Sequence, residues 1–279
     1  MMATCLLQVA LESGSGPDEA SLGFLFGGLG LCTIGVGLGF LAWQPFRRHW
    51  PQYEPSGSVP IVYLVGVVVA HGLGTMVGRA WLLSPGGGPW MLPALLGISA
   101  LSGLATGAVA WAWARGNPGT LGLGRRGLSG AWATGSGLWL LCLPLFYGLA
   151  MVWQWTLLHW PDVVPTQAWV GYFGDAGGAP LAVAALLGIV VVPFLEEVLF
   201  RGLLQPALVS RLGARPGILL GALLFALLHG LASFVPVLAL ALLLGELRQR
   251  TGSLWASYAA HLFHNGLQIA ILASGLVSN

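Results

Sequence analysis

Charged residues are scarce in this sequence. Only 7% of the 279 residues are Asp, Glu, Lys or Arg, and lysine is absent, so that all eleven basic residues are arginines. Soluble domains carry about 25% charged residues. With 56% hydrophobic residues and a mean hydropathy of +0.82, the chain has too few polar side chains to cover a soluble surface. The composition therefore predicts a polytopic membrane protein.

Two other shortages exclude further classes of protein. The net charge is only +2, and no basic run is long enough to indicate a nucleic-acid partner. The three cysteines, Cys5, Cys32 and Cys142, are scattered and form neither a C-x-x-C motif nor an even disulfide framework. We therefore expect the lipid bilayer to be the main partner of the chain.

Long apolar stretches are abundant by contrast. A membrane-spanning helix needs about 20 mostly apolar residues, and this rule predicts an all-α membrane bundle of about eight transmembrane helices. The sixth and seventh stretches are short and almost contiguous, which is also compatible with a re-entrant or tilted segment. The predicted helices are 21–44, 59–83, 88–114, 131–157, 180–204, 216–232, 234–248 and 254–276.

The order of these stretches indicates one membrane domain with three parts. Residues 1–20 form a short extracytoplasmic tail, 21–160 carry the N-terminal transmembrane helices, and 180–276 carry the helices with the candidate catalytic residues. The arginines cluster in alternate loops, after the first, third, fifth and seventh helices. The positive-inside rule then places these four loops in the cytoplasm.

The fifth apolar stretch contains the acidic motif E-E-x-x-x-R. On an α-helix Glu197 and Arg201 share a face, so we expect them to form an ion pair, which offsets the cost of burying either charge alone. Glu196 points about 100° away and has no partner at helical spacing. The pair is compatible with a purely structural role, whereas Glu196 is a candidate general base.

The next two helices carry one histidine motif each. Phe225 and His229 are four residues apart and share a helix face, as do His261 and Asn265. Ionisable residues inside a membrane helix are expensive and often functional, although a lone histidine can also be a packing residue. Counted along the helices, His229 lies roughly 10 Å deeper than Glu196 and His261, a difference that helix tilt must close.

The three motifs, in this order on successive apolar helices, resemble the CAAX prenyl protease type 2 and bacteriocin-processing (CPBP) family of intramembrane proteases. The resemblance also includes their flanks, F-L-E-E-V-L-F-R-G, G-A-L-L-F-A-L-L-H-G and A-A-H-L-F-H-N, and covers about residues 180–270. It implies a multi-pass protein, here assigned to a bacterial cell membrane, with its active site facing the cytoplasm.

The resemblance also implies residue roles. Glu196 and His229 would activate the hydrolytic water, and His261 and Asn265 would stabilise the oxyanion. Glu197, Arg201 and Phe225 would support the site. The expected substrate is a membrane-associated protein or peptide.

Two alternatives stay open at this point. Glu196, His229 and His261 would also make a three-ligand zinc site with an open position for water, so the enzyme is either glutamate-dependent or a metallopeptidase. A non-catalytic membrane protein, such as an immunity factor, a scaffold or a small transporter, would use the same polar cluster for binding.

Overall fold

The computed structural model describes residues 17–49, 72, 88–113, 121–124, 127–157 and 177–274. These residues contain no β-strand and form seven long helices, which confirms the all-α bundle. Five of the helical segments are long and apolar enough to cross a membrane. The helices are α1 (Pro17–His49), α2 (Met91–Trp113), α3 (Leu128–Leu157), α4 (Gly178–Leu212), α5 (Ala214–His229), α6 (Phe234–Thr251) and α7 (Leu254–Ala273).

The predicted helices match these elements with shifted ends. The predicted helix 59–83 and most of the predicted tail, 1–16, lie outside the described residues, so the count of eight stays a prediction. Residues 17–20, predicted as tail, already belong to α1. The predicted span 180–204 is part of the longer α4, which includes the residues before Gly213 that had been assigned to a loop.

Close helix contacts explain several of the glycines. Helix α1 packs along α3 over much of its length. A Cβ atom at Gly35 would collide with the backbone of Leu145, and one at Gly148 would collide with the backbone of Gly28 and Cys32. Small residues allow membrane helices to approach in this way, so the glycines fix α1 against α3.

Helix α7 occupies the centre of the bundle. It contacts α3, α4 and α6, while α2 covers another side of α4. The largest buried apolar cluster joins α1, α3, α6 and α7, and includes Phe46, Trp139, Leu244 and Ala260. His261 therefore projects from the most enclosed helix, next to α4 and its two glutamates.

Helices α5 and α6 form a hairpin whose turn lies beside the last turns of α3. Helix α5 has 16 residues and spans about 24 Å, less than the roughly 30 Å of a hydrocarbon core. Gly230 ends it with a φ of 86°, a value that favours glycine, and the short 3₁₀ turn Leu231–Ser233 leads into α6. This geometry agrees with the predicted alternative that one of the two short segments does not cross fully.

Helix α4 is interrupted by two π-helical turns, at Leu187–Val191 and Val198–Leu204. Each turn ends two residues before a proline, Pro193 or Pro206. A proline lacks the amide hydrogen and crowds the preceding turn, and local π-helical adjustments accommodate prolines in membrane helices. The glutamates lie in the short α-helical piece between the two turns.

Candidate active site

Glu197 lies at the centre of the polar cluster. Its Oε1 atom accepts hydrogen bonds from Arg201 Nη1 and from His261 Nδ1, each at 3.0 Å. The Glu197 side chain is completely buried and that of Arg201 is 3% exposed. The predicted ion pair is therefore confirmed, and it lies within the protein rather than among lipid headgroups.

Glu196 contacts the opposite side of the same histidine. Its Oε2 atom lies 3.6 Å from His261 Nε2, and its side chain is 12% exposed. The sequence predicts that the two carboxylates point about 100° apart on α4 and so contact different groups. Instead, the His261 ring spans that angle from α7, with one ring nitrogen towards each carboxylate.

Hydrogen bonding defines the orientation of His261. A carboxylate oxygen accepts, so the Nδ1 atom that faces Glu197 carries a proton. The ring is 2% exposed and its edge packs on Phe225, with 5.7 Å between ring centroids. Glu197 thus holds the imidazole so that Nε2 is presented to Glu196.

Phe225 links the two histidines. Its ring is 1% exposed, lies 4.4 Å from the His229 ring and has Arg201 Cζ 4.5 Å from its centroid. Phe225 lies one helical turn before His229 and contacts His261, so that Phe225 connects His229 to the cluster. Phe225 therefore contacts three members of the cluster, His229, His261 and Arg201.

His229 is the last residue of α5 and is partly buried. Its Nδ1 atom lies 2.8 Å from the carbonyl oxygen of Phe225. Since a carbonyl accepts hydrogen bonds, Nδ1 is the protonated nitrogen, and Nε2 of the neutral ring is the basic one. The backbone of α5 thus sets which nitrogen of His229 is able to take up a proton.

Asn265 also lies against α4. Its Nδ2 atom donates to the carbonyl oxygen of Gly188, 3.0 Å away, in the first π-helical turn. The carboxamide has a second N–H that this bond does not use. Asn265 therefore fastens α7 to the widened turn and retains one donor.

The neighbouring His264 belongs to the packing of α7. Its Nδ1 atom accepts a hydrogen bond from the indole of Trp139, 3.4 Å away, and its ring packs on the edge of Phe146. These contacts are with α3, on another side of α7 from the glutamates.

Two residues of α3 bond the turn of the α5–α6 hairpin. Neither was predicted from the sequence. Trp153 Nε1 donates to the carbonyl oxygen of Leu231 at 2.8 Å, and Gln154 Nε2 donates to that of Ala232 at 2.7 Å. Carbonyl groups at membrane depth need such partners. A glutamine within an apolar stretch was the available signal. Through these contacts the N-terminal half of the chain fixes the turn that follows His229.

A third missed residue is Arg248 of α6. Its side chain is 2% exposed, and Nε donates to the carbonyl oxygen of Arg201 at 3.2 Å, within the second π-helical turn. The predicted helix 234–248 ends at this arginine, and no contact with α4 was expected of it. It instead stabilises the turn that carries the buried ion pair.

The predicted zinc site at Glu196, His229 and His261 stays a prediction. Both ring nitrogens of His261 face carboxylates of α4, and Nδ1 of His229 faces a backbone carbonyl. Among the described residues, no group of three or more His, Cys, Asp or Glu side chains is disposed to hold a metal ion. Histidines that ligate zinc commonly donate their other ring N–H to a carboxylate or a backbone carbonyl, so the Nδ1 contacts of His261 and His229 are compatible with both forms of the enzyme.

Comparison with known proteins identifies the family of this region. Residues 178–267 match the family model of the type II CAAX prenyl endopeptidases, described as Rce1-like. The match covers all three motifs, and it confirms the expected resemblance of this part of the chain to the CAAX protease family. No curated protein and no solved structure matches the chain. The apolar helices and this similarity together indicate a multi-pass membrane protein whose C-terminal helices resemble a family of proteases.

Proposed function

We propose that the protein is an intramembrane endopeptidase that hydrolyses a peptide bond of a membrane-associated protein or peptide. The contrast between the two adjacent carboxylates supports this most strongly. Glu197 is fully buried and bonded to Arg201 and His261, whereas Glu196 is partly exposed beside the second nitrogen of His261. Glu196 is therefore the carboxylate that water and a substrate are able to reach.

In this proposal Glu196 is the general base, and His229 orients the attacking water through Nε2. Glu196 takes a proton from the water while the water oxygen attacks the carbonyl carbon of the scissile bond. The C–N bond then breaks, and the proton passes from Glu196 to the leaving amine. A positioned base of this kind contributes roughly 10²–10⁴-fold to the rate.

His261 and Asn265 are the proposed oxyanion donors. In this proposal His261 is an imidazolium and donates from Nε2. The carboxylates of Glu196 and Glu197 and the guanidinium of Arg201 together carry one negative charge, which the imidazolium balances. Asn265 contributes the N–H that does not bond to Gly188. Donors fixed in place before the reaction stabilise the developing charge most effectively.

The remaining cluster residues have supporting roles. Glu197 fixes the ring of His261, Arg201 neutralises Glu197, and Phe225 separates and aligns the two histidines. All three are buried and contact a histidine or each other, which suits groups that hold others in position.

We further propose that the site opens to the cytoplasm of a bacterial cell. Arg47, Arg215 and Arg250, from three of the four arginine-bearing segments, line one pocket at the same end of the bundle. The positive-inside rule assigns that end to the cytoplasm.

The first test is cleavage by the full-length chain reconstituted in liposomes. The substrates are membrane-anchored peptides, each prepared with and without a prenylated C-terminal cysteine, and the products are identified by mass spectrometry. Glu196→Gln is expected to lower the cleavage rate roughly 10²–10⁴-fold, whereas Asp175→Asn, which removes a carboxylate outside the motifs, leaves it within about twofold. Full activity of Glu196→Gln would show that the base is another group.

Metal dependence needs a separate measurement. The glutamate-dependent form of the enzyme is the one proposed here, because a glutamate and a histidine together are able to activate water without a metal. Purified protein is expected to keep its cleavage activity after treatment with a chelator. Activity that is lost with the chelator and restored by zinc would overturn this part of the proposal.

A further inference from the structure

A pocket with several arginines lies where the ends of α1, α5 and α6 meet, away from the glutamates of α4. Its lining includes Trp43 and Arg47 of α1, Arg215 of α5, and Glu246 and Arg250 of α6. None of these residues belongs to the three sequence motifs. The pocket therefore calls for an explanation of its own.

The pocket carries an excess of positive charge. Three arginines and one glutamate line it, which leaves two positive charges. Glu246 Oε1 already accepts a hydrogen bond from Arg250 Nε at 2.6 Å. Arg47 and Arg215 are exposed, and in the part of the chain that the structure describes neither forms an ion pair with an acidic side chain. The two charges therefore point to an anionic ligand.

The position of the pocket indicates where such a ligand comes from. The three arginines lie at the ends of apolar helices: Arg47 in the last turn of α1, Arg215 in the first turn of α5 and Arg250 in the last turn of α6. Trp43 packs against Arg250, with Cζ 5.3 Å from the ring, and tryptophan is enriched at the level of lipid headgroups.

We propose that this pocket binds a phosphate group, presented by the headgroup of an anionic phospholipid. The guanidinium group of arginine matches the geometry of phosphate oxygens and binds them through paired hydrogen bonds. Basic pockets between transmembrane helices bind anionic headgroups in this way. A bound headgroup would join the end of α1 to the base of the α5–α6 hairpin. The proposal does not depend on the proteolytic function.

Native mass spectrometry of the full-length chain in a neutral detergent tests it. The probes are dioleoylphosphatidylglycerol and dioleoylphosphatidylcholine at equal concentrations. We expect preferential retention of the anionic lipid, and the double variant Arg47→Gln/Arg215→Gln is expected to weaken that binding by roughly five- to thirty-fold. Equal retention of the two lipids, or unchanged binding by the double variant, would overturn the proposal.

The matched control is Arg48→Gln/Arg211→Gln. It removes the same charge from two exposed arginines close in sequence to the first pair, which do not line this pocket. Binding within about twofold of the original chain supports a specific site, and an equal loss in both double variants would reduce the effect to general surface charge.

Competition with inorganic phosphate distinguishes the two possible sources of the bound phosphate group, a lipid headgroup and free phosphate. Retention of the anionic lipid in the presence of millimolar inorganic phosphate supports a lipid headgroup. Complete displacement of the lipid would assign the pocket to free phosphate and contradict the lipid part of the proposal.

Discussion

Two glutamate–arginine pairs in this protein have the same spacing in sequence and different surroundings. Glu197–Arg201 lies in the middle of the bundle, with its nitrogen and oxygen 3.0 Å apart and its side chains almost inaccessible. Glu246–Arg250 lies at one end, at 2.6 Å, with 18% and 8% of the side chains exposed. The second pair is therefore closer to solvent than the first.

The surroundings decide what each pair does. Glu197 also bonds His261, and Arg201 donates to the carbonyl of Ala241 on α6 and packs on Phe225. Around the other pair, Arg250 packs on Trp43 and both charged groups face an open pocket. The i, i+4 spacing therefore predicts a pair, while the residues brought by other helices determine whether it supports a reaction or lines a surface.

The largest effect is expected from breaking the central pair. Arg201→Met removes the charge that compensates buried Glu197, and removal of one partner of a buried pair costs about 3–5 kcal/mol. The free energy of unfolding, measured by titration of the detergent-solubilised chain with a denaturing detergent, should fall by that amount. Recovery of part of this loss in Glu197→Gln/Arg201→Met is the expected control result. A loss below about 1 kcal/mol, the range of exposed pairs, would mean that the central pair is effectively solvated.

An intermediate effect is expected from a neutral contact at the turn between α5 and α6. Gln154→Leu leaves the carbonyl of Ala232 without its side-chain donor, at a cost of about 1–3 kcal/mol. The same unfolding titration measures it. Gln268→Leu is the matched control, because its bond to Tyr147 is long, at 3.5 Å. Equal losses in the two variants would show that the hairpin end does not rely on Gln154.

The smallest effect is expected at the outer pair. Arg250→Met should lower the free energy of unfolding by about 0.2–1 kcal/mol, the range of exposed ion pairs, because Glu246 is able to reach solvent. The difference in the free energy of unfolding between Arg250→Met and Arg201→Met measures how much burial increases the contribution of a pair with the same i, i+4 spacing. Losses of equal size would remove the distinction between the pairs.

Much of the fold follows from the sequence, because apolar length alone predicts membrane helices. The Glu197–Arg201 pair was also predictable, since it depends on a single helical turn. The contact of both glutamates with His261 was not, because it depends on α7 and on two π-helical turns in α4. Pro193 and Pro206 were the local signals for those turns.

The contacts between distant helices were the least predictable part of the site. Nothing in the spacing of F-x-x-x-H places Phe225 between two histidines, and nothing near Gln154 indicates that it bonds a carbonyl 78 residues later in the chain. Such contacts depend on how α3, α5 and α7 pack. The assignment of catalytic roles to Glu196, His229, His261 and Asn265 stays a prediction until the variants are measured.

The widened turns of α4 make the site sensitive to chain length. The amide of Val192 bonds the carbonyl of Leu187, five residues earlier, instead of four. Insertion of one more residue within Leu187–Val191, where the wide turn already holds one residue beyond a regular turn, would rotate one half of α4 against the other by about 100°. Either both carboxylates would then turn away from His261, or the preceding half would turn away from Asn265. A substitution in the same turn leaves the rotation of the two halves of α4 unchanged. The number of residues in the turn is therefore constrained independently of which residues they are.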